Sequence, residues 1–213
     1  MRIEAHSDVS LAKLRGYELA RHAVGRFDGG RTFVVAQGMG LPRTHAFATG
    51  ALVDGFAEGL SKAGPARGRD RLRKALGSAK ETLLVRAQGL IERDVPDVAF
   101  VAVVFDGGEL AVASAGPCRA YVTRRSTSER LTPADEPETG LLAGPIFETT
   151  FSLEPSDLVF AGSVSAFSTQ AVARVASVLR QDPEAPPSVL ATLLTEPAGD
   201  AGVGAAVVVL RAS

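Results

Sequence analysis

Ser163 and Ser165 offer hydroxyls, Cys118 a thiol, and His22 and His45 imidazoles, the groups from which a nucleophile and its base are assembled. None of these assemblies is complete. No His and Asp are spaced to form a triad with either serine. Cys118 is the only cysteine and reads as a small packing residue beside a strand, which also excludes an intrachain disulfide and a multi-cysteine metal site. His45 stands where a helix begins and reads as a surface residue. Asp28-Gly29-Gly30 is a turn and not a phosphate cradle, because no helical pattern follows it directly. That leaves Phe33–Gly40, F-V-V-A-Q-G-M-G. Here a buried strand ends on Gln37, and Gly38-Met39-Gly40 lets the backbone bend sharply. The side chain delivered to that turn is a neutral amide.

The elements that position these residues follow from periodicity. Residues 1–40 read as strands and turns, with Asp28-Gly29-Gly30 turning the chain into the Phe33–Ala36 strand. Between Ala46 and Leu60, the apolar residues Leu52, Val53, Phe56 and Leu60 recur at helical spacing until Gly64-Pro65 breaks the chain. A longer helix is predicted from about Arg69 to Glu92, with Leu72, Leu76, Ala79, Leu83, Ala87 and Leu90 on one face. Its opposite face carries Arg71, Lys74, Lys80 and Arg86 and reads as solvated. Val98–Phe105, turned by Asp106-Gly107-Gly108 into Leu110–Ser114, reads as a hairpin. Strands are predicted at Arg119–Thr123, Phe147–Leu153 and Leu158–Phe160. Helical spacing returns at Val172–Leu179 and at Val189–Leu194, and Ala205–Leu210 closes the chain as a buried strand. This order implies an α+β layered architecture in one domain, residues 1–213.

Bulk composition narrows the function. A hydrophobic content of 46% with 22% charged residues supports an ordinary packed core. With a formal net charge of -1, nothing points to nucleic acid or an anionic membrane as partner. The N-terminal residues lack the apolar region of a signal peptide, and no apolar stretch approaches the roughly 18–20 residues that span a bilayer. A cytoplasmic setting is the expectation.

Five segments, in order, carry a resemblance. Phe33–Gly40 is similar to the V-A-D-G-M-G-G-H segment of the metal-dependent (type 2C, PPM-type) Ser/Thr protein phosphatases. Ala48-Thr49 keeps the end of the G-E-x-A-S run that opens that family's first helix. Ala113–Tyr121 resembles A-N-x-G-D-S-R-A-Y and keeps Gly116 and Arg119-Ala120-Tyr121. Leu131-Thr132 matches the L-T that follows, and Leu153–Asp157 resembles L-x-P-G-D. The resemblance implies a four-layer α/β-β/α sandwich, two antiparallel sheets flanked by helices. The stretch between Leu131 and Leu153, punctuated by Pro133, Pro137 and Pro145, leaves no room for the sizeable flap subdomain of many members.

The same resemblance implies where chemistry would be found. The family holds two Mn²⁺ or Mg²⁺ ions, hard cations that need carboxylate oxygens, and uses them to activate a water. Its N-E-D motif falls on Ala20-Arg21-His22, so His22 takes the place of the first Asp. Gln37, followed by Gly38, replaces the bridging Asp. Val164 of Ser163-Val164-Ser165 replaces the Asp of S-D-G, and Asp200 retains the Asp of the terminal D-N motif, whose Asn is Ala201. The phosphate-binding Arg falls on Tyr17, with Arg15 out of register. One carboxylate of four cannot offset the charge of two divalent ions. The expectation is therefore no metal cofactor, no catalytic residue and no phosphatase activity. The chain would be a pseudophosphatase acting as a regulatory or binding module on a protein partner such as a phosphoprotein or a kinase. An active Ser/Thr phosphatase with an altered site built from Asp200, His22 and Gln37 around one transition metal, or an unrelated layered domain, are the competing expectations.

Overall fold

The structure is a computed structural model and describes residues 1–90, 96–125, 127–134 and 138–213. Two antiparallel sheets stack face to face between two pairs of helices. One sheet has six strands in the order β2 (Tyr17–Leu19), β1 (Ile3–Leu14), β11 (Val203–Ala212), β10 (Leu158–Gly162), β7 (Arg119–Arg124) and β8 (Thr127–Arg130). The other has five: β3 (His22–Phe27), β4 (Thr32–Met39), β5 (Asp97–Asp106), β6 (Glu109–Ala115) and β9 (Phe147–Ser152). Helices α1 (His45–Lys62) and α2 (Gly68–Ala87) cover the five-stranded sheet; α3 (Thr169–Gln181) and α4 (Pro187–Asp200) cover the six-stranded one. This is the expected four-layer α/β-β/α sandwich, with no sizeable flap subdomain among the described residues.

Strand alternation builds the layers. In β4, Val34 and Ala36 face α1 and α2, whereas Phe33 and Val35 face the second sheet. In β5 the same rule sends Phe100, Ala102 and Val104 to the helices and Ala99, Val101 and Val103 to the intersheet core. Both faces are covered, so both strands are apolar without interruption. Glycines set how closely α1 and α2 approach. A Cβ at Gly55 would lie 2.7 Å from Ala79 Cα, and one at Gly59 would lie 2.6 Å from Ala75 Cα.

Some expectations need correction. Helix α2 stops at Ala87, short of Leu90, because the following amides turn back in tight steps, from Gly89 N–H to Arg86 and from Leu90 N–H to Ala87. Its predicted end at Glu92 lies outside the described residues, as does Pro137. The basic face of α2 is not simply solvated: Arg71 pairs with Asp28 at 2.8 Å, Arg86 with Asp54 at 2.8 Å, and Lys74 donates to the Ala63 carbonyl at 3.3 Å. Helix α4 runs well past Leu194, through Pro197, to Asp200.

The Leu153–Asp157 turn has a structural role. The buried Asp157 carboxylate accepts hydrogen bonds from Arg124 Nη2 at 2.7 Å and from the Glu154 amide at 2.8 Å. Ser156, where the resembling motif has Gly, is held at φ 73°, a left-handed conformation that costs an L-residue about 1–2 kcal/mol. Ser156→Gly should therefore raise stability by about 0.5–1 kcal/mol after the added freedom of the unfolded chain is deducted. Urea denaturation checks this, and a lower midpoint would refute it.

Candidate functional site

The antiparallel register of β3 and β4 sets His22 directly opposite Gln37. Gln37 shares the face of Phe33 and Val35, so both polar side chains point toward the space between the sheets, at its end. Both are buried, His22 at 5% and Gln37 at 4% exposure. Among the described residues, neither imidazole nitrogen has a hydrogen-bond partner, and neither does Gln37 Oε1. The Gln37 amide offsets part of the imidazole's pKa drop. Burial first, and then the Arg21 guanidinium, push the His22 pKa down to about 4. The ring is neutral at physiological pH. As a histidine it is buried without being satisfied.

Arg21 and His45 complete this end of the molecule, and sequence reasoning singled out neither for the site. His45 is not a surface residue. It is buried at 6% exposure because α1 begins directly over Gly38, where an added Cβ would sit 2.6 Å from His45 Cβ and 2.7 Å from its Cα. Its Nε2 lies 3.2 Å from the Gly40 carbonyl, and burial followed by the Arg21 charge lowers its pKa. Arg21 continues the β3 ladder by accepting the Gly38 amide on its carbonyl at 2.7 Å, and its Nε is buried without a hydrogen-bond partner among the described residues. The sequence signal for Arg21 was the inverted charge at the middle of N-E-D; His45 offered none.

The remaining predicted positions lie on other elements. Val164 opens a 3-10 turn, Val164–Phe167, directly after β10. Its flanking serines fasten that turn to β11: Ser163 Oγ accepts the Ala206 amide at 3.1 Å, and Ser165 Oγ donates to the Gly204 carbonyl at 2.7 Å. The hydroxyls lie 3.0 Å apart with no histidine on either, which leaves no activated nucleophile. Asp200 is the exposed last residue of α4, and its side chain makes no hydrogen bond or ion pair among the described residues. Asp97, across from Met39, spends both carboxylate oxygens on the backbone N–H groups of Val98, Gly140, Leu142 and Ala143. Cys118 is fully buried, and burial pushes its pKa up to about 12; it is not a nucleophile. Tyr17 is 77% exposed on the β1–β2 hairpin.

These groups do not fit two hard divalent ions. Around His22 and Gln37 the donors are an imidazole and an amide, and the neighbouring charge is the Arg21 cation, which repels metal ions. Among the described residues no three His, Cys, Asp or Glu side chains gather to hold a metal ion. No helix among them is long and apolar enough to cross a membrane.

No protein-family model and no curated protein matches the chain significantly. Solved structures do. The chain is similar to the PPM Ser-Thr phosphatase MsPP from Mycobacterium smegmatis, with 23% identity over 99% of this chain and 98% of that one and a TM-score of 0.72. It is similar to PppA, a regulatory component of T6SS in Pseudomonas aeruginosa, at 18% identity over 100% and 99% of the chains with a TM-score of 0.77. It is also similar to the Mycobacterium tuberculosis serine/threonine phosphatase PstP/Ppp, at 15% identity over 99% of each chain with a TM-score of 0.74. Similarity spans each chain end to end, which removes the expectation of an unrelated layered domain. The protein has the fold of the PPM-type Ser/Thr phosphatases, with no metal-holding cluster among its described residues.

Proposed function

We propose that the chain is a catalytically inactive PPM-type phosphatase-like protein, a pseudophosphatase that works as a regulatory module through protein–protein contacts in the cytoplasm. A phosphoprotein or a kinase is the partner class this reading favours. One observation carries it. Where β3 begins and β4 ends, the side chains that face the intersheet space are His22 and Gln37, both neutral, with the Arg21 cation beside them. Val164 and Asp200 enter the proposal as further positions where metal-ligand chemistry has been lost or left isolated. A preserved fold with a metal-incompatible strand end suits recognition and not hydrolysis.

Calorimetric titration with Mn²⁺ should show no binding tighter than about millimolar, because no carboxylate cluster offsets ion desolvation. An aryl phosphate should not turn over with Mn²⁺, Mg²⁺, Zn²⁺ or Co²⁺. The unpartnered His22 nitrogens favour the single-metal alternative. Metal-dependent turnover abolished by Asp200→Ala or His22→Gln would establish that alternative and sink the proposal.

A further inference from the structure

The outer face of the six-stranded sheet is only partly covered. Ala120 and Val122 of β7 enter the intersheet core, so Tyr121 and Thr123 point away from it, toward the helical layer. Helix α4 packs on β1 and β11 with α3 beside it, but β7 and the edge strand β8 extend beyond them. A trough of about 530 Å³ remains between α3 and β7–β8, within the size range of small-molecule pockets.

The trough is graded along its length. Phe160 and Tyr121 form its floor, and Phe167 meets Tyr121 edge-on, ring centroids 5.0 Å apart. The helical wall presents Val172, Val175 and Leu179 at i, i+3 and i+7; Val175 and Leu179 also pack against the core beneath the helices, and Val172 is 46% exposed. Both walls then change character: α3 passes from Leu179 to Arg180, and the chain of β7 passes from Thr123 to Arg125 in the turn that follows it. Both arginines are exposed, and neither forms an ion pair among the described residues. Arg125 also borders an adjoining depression, where the carboxylates are already taken: Arg124 is paired with Asp157 and Glu154, and Arg211 with Glu184. Uncompensated positive charge thus lines the same apolar channel.

From this gradient we infer that the trough is a binding site for a small amphiphilic anion, a medium-chain acyl carboxylate or its chemical equivalent. Its headgroup lies against Arg125 and Arg180 and its tail runs along α3 toward Phe167. The rise from Val172 to Leu179 is roughly 10 Å, which matches such a tail. A guanidinium pair suits a carboxylate better than any neutral head. An amphipathic peptide helix is a poorer match, since its apolar and charged faces run side by side and not end to end. The site lies on the opposite face of this sheet from His22 and Gln37 and does not depend on whether the chain has activity.

The test uses the full chain, with decanoate, decanol and decyltrimethylammonium as probes in calorimetry and methyl-resolved NMR. Decanoate should bind and shift the methyl signals of Val172, Val175 and Leu179. Decanol should bind about tenfold more weakly, as expected for loss of a charge-assisted contact, and the cationic probe more weakly still. Replacing Arg125 and Arg180 together by Glu should weaken decanoate at least about tenfold and bring the cationic probe up to or above it. Both side chains are exposed, so the fold is retained. Val172→Asp, also at an exposed position, should weaken all three probes. Equal binding of anion and cation, methyl shifts elsewhere on the protein, no binding of decanoate, or decanoate affinity unchanged in the double variant would each overturn the assignment.

Discussion

Lowering the pH from about 6.5 to about 4 should destabilise the native state by roughly 3 kcal/mol through His22 alone. The imidazole is buried opposite Gln37 with no hydrogen bond to either nitrogen among the described residues, and the Arg21 cation opposes a second positive charge. Its folded-state pKa of about 4 lies below the ordinary value of 6.5. As pH falls, the unfolded chain therefore takes up the proton first. The contribution is fully present above about 6.5, is lost progressively toward 4, and changes no further once both states are protonated. At about 1.4 kcal/mol per pH decade, that interval sets the magnitude. His45 adds to it in the same direction. Urea denaturation of the wild type and His22→Gln at pH 7.5 and pH 4.5 isolates the effect from the carboxylates, which titrate in both proteins. The two should differ in pH dependence by roughly 2–3 kcal/mol. Parallel pH profiles would show that the histidine is not held neutral. Gln37→Asp, which places a carboxylate opposite the ring, should move the imidazole titration upward, as read by NMR.

Gly38→Val should cost about 3 kcal/mol or more, lowering the melting temperature by roughly 6–12 °C for a chain of this size. The backbone at Gly38 is not in a left-handed conformation; the constraint is proximity. An added Cβ would fall 2.6 Å from His45 Cβ and 2.7 Å from His45 Cα, so the first turn of α1 would have to lift from the end of β4. That turn has little room to yield, because Thr49 Oγ1 donates to the His45 carbonyl at 3.0 Å and Ala48, Ala51 and Leu52 are fully buried. Gly40, two residues on, has no atom within 4 Å of an added Cβ. Its cost comes from φ 79° alone, so Gly40→Ala should be milder, about 1 kcal/mol. Equal losses at the two positions would overturn the distinction between steric and conformational need.

The Phe33–Gly40 turn shows how much of this site is legible in a sequence. Its strand, its bend and the neutral Gln37 can all be read directly, because strand burial and turn chemistry are properties of neighbouring residues. His22 is a harder case. No local motif marks it, and its pairing with Gln37 depends on the register of a hairpin turned at Asp28-Gly29-Gly30. His45 was misread for a similar reason. A helix start is normally solvated, and only the missing side chain at Gly38, seven positions earlier in the chain, lets β4 and α1 close over it.

Arg21 marks the line between the two kinds of information. Residue type and periodicity determined the order of strands and helices; the four-layer plan, and the reading of Gln37 and Val164 as standing where carboxylates are expected, came only as what the resemblance to the phosphatase family implied. Tertiary structure decided that Arg21, His22 and His45 act on one another, and that Arg125 and Arg180 line the same apolar trough. Charges interact through distance and local dielectric, and neither is a property of position along the chain.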